Sequence, residues 1–476
     1  MTILNAIFRS ARLWPDKPAM LLADRIVTYR MLVGSTLAVA AKLRQLELTK
    51  HDLVAIDVND PARHVVVALA LFQLGIPSVS IRSELRGFAT TLGTRLILVD
   101  EFESGHPAFN QQHVTDDWFI ASEGAEASVN ATAFGENDVC RVSITSGSTG
   151  LPKAVAQTEV SVWRRIQERL SSSLAQPWPR TLCMAGLSTN FGFARALLPL
   201  CIGQTTCFAT SAEEALHMTS VYGIHQLVGS PAQLTAAAAA MAGMRFPIPS
   251  LDSIICGGGP LNSALVTRLR SELCATVIDS YSSTEGGGAG IAAGDFLLRR
   301  GDRLLFLPVK DIRIVGPGGE ALPAGKEGHV QVRSDSYASP WRGLSGFEPA
   351  NTAWCAPGDL GRLDSSGCLE IMGRSDDVLN IGGVKVNSEA VQQVISTYPG
   401  IRDAGVVAAM GARGNPELWA AVVADIAPNA DDLAVWLEAR IPGARLAKVA
   451  VVQSVPRSHL GKLMRGELRR QLEGHV

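Results

Sequence analysis

No uncharged apolar run in the sequence is long enough to cross a bilayer, so a membrane-spanning helix is not expected. The eight cysteines form no C-x-x-C pair and sit mostly in apolar stretches, where a thiol behaves as a small hydrophobe. The nine histidines include no H-x-x-x-H and no Cys/His cluster, which leaves a zinc site without support. Excess charge of one sign is also missing. A formal net charge of −2 gives no electrostatic case for nucleic acid or an anionic membrane. The amino terminus, MTILNAIFRSARLWPDKP, lacks a basic head followed by a long apolar core, so no secretory signal is expected and a cytoplasmic location is.

What is present describes a soluble globular chain. Its 476 residues exceed one ordinary core, so two or more domains are expected. Hydrophobic residues make up 47% and charged residues 18%, which is ample for a core, and 45 dispersed glycines imply many tight turns. Ile3, Ile7, Leu13 and Trp14 recur at helical spacing and stop at Pro15. A helix of about fifteen residues follows from Val27–Leu32, then a strand at 52–58, a helix at 64–74 ended by Gly75, and buried strands at 76–81 and 96–99. Strands alternating with helices predict a parallel sheet covered on both faces. Residues 101–138 read as an acidic, irregular connection, and the helix at 160–174 as carrying Arg164, Arg165 and Arg169 on a solvated face with no assigned role. The alanine-rich stretch 235–241 reads as a helix, and 309–333 as a β-hairpin region around Gly316-Pro317-Gly318-Gly319.

The chain is organised around VSITSGSTGLPKAV, residues 142–155. A β-branched strand empties into Thr145, Ser146, Gly147, Ser148, Thr149 and Gly150, then Leu151-Pro152-Lys153. Small residues leave backbone N–H groups free to turn inward as an anion nest, and the hydroxyls and Lys153 add donors. The chemistry indicated is a polyphosphate cradle. The ordinary P-loop requires its lysine directly after the second glycine, so this is a different motif. Further on, Ile254–Leu261 ends in Gly257, Gly258, Gly259 and Pro260, where a flat base can lie against bare backbone. Tyr281-Ser282-Ser283-Thr284-Glu285 supplies an aromatic face and a carboxylate.

The loop resembles the T-S-G-[ST]-T-G-x-P-K signature of the adenylate-forming enzymes, the superfamily of acyl-CoA synthetases, peptide-synthetase adenylation domains and luciferase. Four more motifs follow in that superfamily's order. Tyr281–Glu285 resembles Y-x-x-T-E, and Trp354–Asp359 resembles W-x-x-T-G-D with Pro357 in place of threonine. Gly373-Arg374-Ser375-Asp376-Asp377 matches G-R-x-D-D, and Pro456–Arg465 resembles P-[KR]-T-x-x-G-K-[IL]-x-R. The match spans Val27 to Arg465.

The resemblance implies an α/β fold. A large amino-terminal domain (1–375) would comprise stacked α/β sheets and a β-barrel-like subdomain, and a small mobile α+β domain would follow (376–476). It implies ATP, Mg²⁺ and coenzyme A, or a carrier-protein phosphopantetheine, as cofactors. A carboxylic acid would become acyl-AMP with release of pyrophosphate and then pass to a thiol. The implied roles are Tyr281 stacking on adenine beside Gly257–Pro260, Thr284 contacting phosphate and Glu285 holding Mg²⁺. Asp359 would hold the ribose hydroxyls with help from Arg374, and Lys462 would be the catalytic cation of adenylation. Asp376 would be the hinge, and Gly382, Gly383 and Lys385 would border the thiol channel. Asn190, Phe191 and Gly192 fall where such enzymes line the acyl pocket. A neutral amide at Asn190 cannot hold an ammonium, which disfavours an α-amino acid; it either bonds a hydroxyl or polar acyl group, some aryl-acid-activating relatives carrying Asn there, or is a structural turn residue. Residues 286–308 are compressed and glycine-rich, which leaves acyl length open. The expected partners are a small carboxylic acid and an acyl carrier protein as alternative acceptor, in a monomer or homodimer. A non-catalytic nucleotide-binding protein and a luciferase-like oxygenase are the remaining alternatives.

Overall fold

Local chemistry sets the elements. Helix Pro61–Leu74 starts where the Asp60 carboxylate accepts the Arg63 N–H at 2.9 Å, with proline in its first turn. It ends at Gly75, whose φ of 68° is the left-handed region that glycine reaches without strain. Helix Ile3–Leu13 buries Ile3 and Ile7 but leaves Leu13 and Trp14 largely exposed, so only part of its apolar spacing marks the core.

The computed structural model describes residues 2–101, 110–120, 134–146, 152–171, 179–243, 248, 251–259, 261, 263–274, 276–293, 305–344, 347, 354–375, 378–381, 384–410, 416–441, 443–457 and 463–474. Among these, strands form a 14-stranded sheet, a 7-stranded sheet, a 2-stranded ribbon and a 3-stranded sheet. The centre of the longest sheet is parallel, with neighbouring strands Thr205–Phe208, Arg180–Cys183, Gln226–Gly229, Ser253–Gly257 and Val277–Ser283. Beyond Val277–Ser283 it continues antiparallel through Gly287–Ala293, Leu305–Pro308, Leu369–Arg374, Asp359–Leu363, Gly328–Arg333 and Ile312–Val315. The hairpin expected around the 316–319 turn is the last of these pairs.

The seven-stranded sheet runs Ser339–Pro340, Pro152–Thr158, Val139–Ser146, Ser78–Ser80, Leu53–Asp57, Thr94–Val99 and Gln111–His113. Its last strand corrects the reading of 101–138 as a wholly irregular connection. Gln111–His113 pairs parallel with Thr94–Val99, and Trp118 and Phe134 are buried. Gln-Gln-His has no apolar alternation to announce a strand. Backbone bonds hold it to the sheet edge, such as the Val114 N–H on the Val99 carbonyl at 2.8 Å.

The two sheets share one apolar layer. Val54 and Ile56 of the shorter sheet cluster with Cys183, Val228, Ile255 and Ile278 of the longer, with Tyr29, Phe72 and Phe193 from helices between. Burial of each large side chain there contributes about 1.5–3 kcal/mol. From Val386 onward the buried apolar residues form clusters of their own, built on strands Ile401–Met410, Pro416–Ala424 and Leu446–Val451 and their helices.

Candidate active site

The loop expected to cradle phosphate lies between two paired strands. Val139–Ser146 pairs antiparallel with Pro152–Thr158, and Thr145 faces Lys153 across the mouth. The Thr145 hydroxyl donates to the Lys153 carbonyl at 3.4 Å, and the Lys153 side chain is exposed. Ser146 is placed in its strand, while Gly147, Ser148, Thr149 and Gly150 lie outside the described residues.

The chain then enters helix Glu159–Ser171, where the structure corrects the sequence reading. Arg165, expected on a solvated face, is 1% exposed. Its Nη1 donates to the Thr284 carbonyl at 2.8 Å and its Nη2 to the Glu285 carbonyl at 2.7 Å. Its Nε and Nη2 both reach the Ser336 carbonyl, at 2.9 and 2.7 Å. Arg164 remains exposed and donates to the Asp335 carbonyl. Burial lowers the Arg165 pKa to about 10, so it is still cationic at neutral pH. One turn along, Glu168 pairs with Lys310 at 2.9 Å, and Lys310 donates to the Gly286 carbonyl at 3.3 Å. The Ala338 N–H also reaches the Glu285 carbonyl, at 2.8 Å.

Thr284, Glu285 and Gly286 therefore form a turn between Val277–Ser283 and Gly287–Ala293 whose every carbonyl is held. The Glu285 carboxylate has no ion pair or hydrogen bond among the described residues. A rigid backbone presenting one unpaired carboxylate fits Mg²⁺, which takes few protein ligands beside phosphate oxygens and water.

Four residues before Glu285, the Tyr281 hydroxyl donates to Asp359 Oδ2 at 2.6 Å, and Arg374 Nη1 lies 3.3 Å from Asp359 Oδ1. Three residues expected around the nucleoside thus meet in one cluster, from three strands of one sheet. Burial, with the Asp359 carboxylate beside it, raises the phenol well above its ordinary pKa, so it stays the donor. Arg374 is half exposed, and its ion pair contributes little by itself. Gly358 holds a φ of 84°, and a Cβ there would stand 2.9 Å from Arg374 Nη2.

Gly257, Gly258 and Gly259 lie at the carboxyl end of the neighbouring strand, where parallel sheets bind ligands. Gly258 has a φ of 85°. Beside this segment lies Asp279, buried on strand Val277–Ser283, its Oδ2 without a hydrogen-bond partner among the described residues. Pro260 lies outside the described residues.

Asn190, Phe191 and Gly192 open helix Asn190–Cys201, whose cap is the Thr189 hydroxyl accepting from Gly192 N–H at 2.9 Å. Gly192 is required by close approach: a Cβ would lie 2.3 Å from the Gly186 carbonyl oxygen. The Phe191 ring lies against Gly257, where a Cβ would come within 2.5 Å of it. The candidate acyl and nucleoside segments are therefore in contact. The Asn190 side chain is half-buried and makes no hydrogen bond among the described residues.

Lys462, Asp376, Gly382 and Gly383 lie outside the described residues, and Lys385 is placed only as a member of strand Val384–Asn387. The segment before and after Lys462 closes as a narrow pair. Arg457 bridges Leu463, the Met464 N–H reaches the Pro456 carbonyl at 2.9 Å, and Arg457 Nη2 grips Asp403 at 2.6 Å.

The sequence reading passed over Arg165, Glu168, Lys310 and Arg195. Arg165 falls three residues after buried Val162, on the inward stripe of its helix, a periodic signal that its charge obscured. Arg195 is the one charged residue in NFGFARALLPLC.

The family model described as AMP-binding enzyme matches residues 7–340. The 4-chlorobenzoate–CoA ligase of Arthrobacter sp is 29% identical, the alignment covering 94% of this chain and 91% of that protein. The p-hydroxybenzoic acid–AMP ligase of Mycobacterium tuberculosis is 26% identical over 96% of this chain and 67% of that protein. Among solved structures, o-succinylbenzoate CoA synthetase from Bacillus subtilis, in complex with its acyl-adenylate intermediate, superposes with a TM-score of 0.84 at 23% identity over 98% of both chains. With the family's fold throughout and its model matched over most of the length, the chain belongs to the AMP-binding enzymes, the adenylate-forming ligases.

Proposed function

We propose that this enzyme joins an aromatic carboxylic acid to coenzyme A in two ATP-driven half-reactions. In the first, a carboxylate oxygen attacks the α-phosphorus of ATP, the bond between the α-phosphorus and its bridging oxygen breaks, and pyrophosphate leaves. In the second, the coenzyme A thiolate attacks the acyl carbon and AMP departs with the oxygen it gained. Both reactants of the first step are anions, so the site must neutralise charge and hold them in line. The observation that carries this reading is the convergence of the pinned Glu285 turn and the Tyr281–Asp359–Arg374 cluster on one sheet.

In this reading Thr145–Gly150 and Lys153 cradle the β- and γ-phosphates, and the Thr284 hydroxyl faces phosphate. Glu285 would hold Mg²⁺, which when bound offsets phosphate charge. Tyr281, Gly257–Pro260, Asp359 and Arg374 orient the nucleoside, and Lys462 bridges the carboxylate and α-phosphate. Residues 1–375 carry the ATP and acyl pockets and 376–476 carry Lys462. The separate apolar clusters after Val386 support that division. Turning about Asp376 withdraws Lys462 and brings Gly382, Gly383 and Lys385 beside the thiol's path.

The aromatic class is supported by the acids in the relatives' names, 4-chlorobenzoate, p-hydroxybenzoic acid and o-succinylbenzoate. It is also supported by the Phe191 ring beside Gly257 and by Asn190 where an ammonium would need a carboxylate. Acid-dependent pyrophosphate release across benzoic, aliphatic and α-amino acids, with and without coenzyme A, tests it. Release with benzoic acids, accelerated by coenzyme A, is expected. Turnover confined to aliphatic or amino acids overturns the acid class; release indifferent to coenzyme A moves the acceptor to a carrier-protein phosphopantetheine. Lys462→Ala should abolish acyl-AMP formation while sparing thioester formation from supplied acyl-AMP.

A further inference from the structure

Helix Asn190–Cys201 is apolar except for Arg195, which is 8% exposed. Its Nε has no hydrogen-bond partner, and no carboxylate pairs with it among the described residues. The charged neighbour that acts on it is another cation, Arg169, and the nearby Cys183 thiol is pushed up to about 12 by burial and is neutral. The other three buried arginines contrast with it: Arg86 pairs with Asp57, Arg165 donates to three carbonyls, and Arg141, although its Nε is also unpartnered, donates through its two Nη atoms to the Ser80 hydroxyl and the Leu187 carbonyl. A buried guanidinium without an acceptor is among the costliest groups a fold can hold, and is retained where an anion arrives to meet it.

The geometry says where that anion would be. Helical side chains lean toward the amino terminus, so Arg195 lies over the preceding turn, at Phe191. Its guanidinium carbon is 5.7 Å from the Phe191 ring centroid, and that ring rests on Gly257. The guanidinium thus stands one ring's width from Gly257, the strand end that the proposed reading gives to the nucleoside, on the side of the expected acyl segment. A planar fork of donors at that position matches a carboxylate in two-point contact.

We propose that Arg195 is a specificity-determining residue, pairing with a second carboxylate that the aromatic acid carries remote from the carboxyl group being activated. This rests on the reading that the pocket takes an aromatic acid, and it narrows that class to aromatic dicarboxylic acids.

The experiment compares the full-length enzyme with Arg195→Met and Arg195→Lys on benzoate, 4-hydroxybenzoate and the three benzenedicarboxylates. It reads kcat/KM for pyrophosphate release and, without ATP, calorimetric binding of the same acids. The wild-type protein should favour at least one dicarboxylate over benzoate by about 100-fold, and Arg195→Met should erase that ratio while leaving benzoate unharmed. Arg195→Lys, which keeps the charge but loses the fork, should retain about a tenth of the preference, and decides the matter if the Met variant fails to fold. A wild-type preference for benzoate overturns the proposal. So does an equal loss on both acid types, the result if Arg195 held the activated carboxylate or only supported the fold. Turnover of neutral aromatic acids with an unchanged ratio leaves the aromatic-acid reading standing and defeats the Arg195 assignment. If no acid turns over, that reading fails, while dicarboxylate binding lost in Arg195→Met upholds the assignment and its absence defeats it.

Discussion

The two ends of the candidate site treat charge in opposite ways. Around the expected nucleoside the phenol and its charged neighbours have partners, with the Glu285 carboxylate and Asp279 Oδ2 the exceptions among the described residues: Tyr281 donates to Asp359, Asp359 faces Arg374, and Arg165 is satisfied by the carbonyls of Thr284, Glu285 and Ser336. At the acyl end Arg195 is buried with an unpartnered Nε, and Asn190 is half-buried without a hydrogen bond among the described residues. A satisfied network is rigid before ligand arrives and suits the part of the substrate that never changes, the nucleotide. An unsatisfied one gains most when ligand supplies the missing partner, which is how a pocket discriminates among acids. On the proposed reading the same fold preorganises one end and leaves choice to the other.

The sharpest way to break this contrast is Arg165→Met. It strips hydrogen bonds from three carbonyls, that of Ser336 fully buried, and a stability loss of about 3 kcal/mol in urea unfolding is expected. Pyrophosphate release should fall by at least about 100-fold, because the turn presenting Glu285 loses its brace. Full activity in a folded variant would show that the turn holds itself. Next in size is Asp359→Asn, which leaves Tyr281 and Arg374 in place but removes the charge between them. The KM for ATP should rise by about 30-fold, on the scale of one charged hydrogen bond, with the KM for acid unmoved. A parallel rise in both would mean that the two ends are not separate.

A smaller effect, read as pH dependence, comes from Asp279 beneath the glycine segment. Burial pushes its carboxyl up to about 7, against backbone N–H bonds from Leu261 and Ser280 that favour the charged form. An acid whose folded pKa lies above its unfolded one gives stability that is complete below about pH 4, where both states are protonated. That stability is lost as pH rises through about 7, because the unfolded chain releases its proton first. Asp279→Asn keeps the acceptor and cannot titrate. Its unfolding free energy from urea titration should match the wild-type protein near pH 4 and exceed it increasingly up to about pH 7, by roughly a few kcal/mol at most, then run parallel. Curves parallel throughout would place the carboxyl's titration elsewhere.

The legibility of this molecule follows the range of the forces involved. Helix Pro61–Leu74 announces itself through Asp60, Pro61 and Gly75, all within one stretch, and the parallel strands through short apolar runs. Glu285, Tyr281 and Asp359 were legible because each sits inside a local pattern with fixed spacing. Arg165 was not, because what buries it is the Ser336 carbonyl 171 residues away together with the turn at Thr284 and Glu285. The edge strand Gln111–His113 escaped notice for a similar reason, being held by backbone bonds to Thr94–Val99 that leave no mark on side-chain pattern. Arg195 shows the converse: a lone charge in an apolar helix was visible in the sequence, but its missing partner is a fact of three dimensions.

The mildest change tests the seam between the two ends. Gly257 is the point where they touch, and a methyl group there would stand 2.5 Å from the Phe191 ring, closer than any contact allows. The neighbour that must yield is the outer edge of a ring at the start of a helix, not backbone, so Gly257→Ala should fold with a loss on the order of 1–2 kcal/mol. The displaced ring shifts toward Arg195, 5.7 Å from its centroid, and narrows the space for the acid. The KM for acid should rise by about tenfold, more for bulky ring substituents than for benzoate, with the KM for ATP within about twofold of wild type. That asymmetry is what two ends sharing one contact require. If the KM for ATP rose instead, Phe191 would belong to the nucleoside end, and Arg195 would face the adenine rather than the acid.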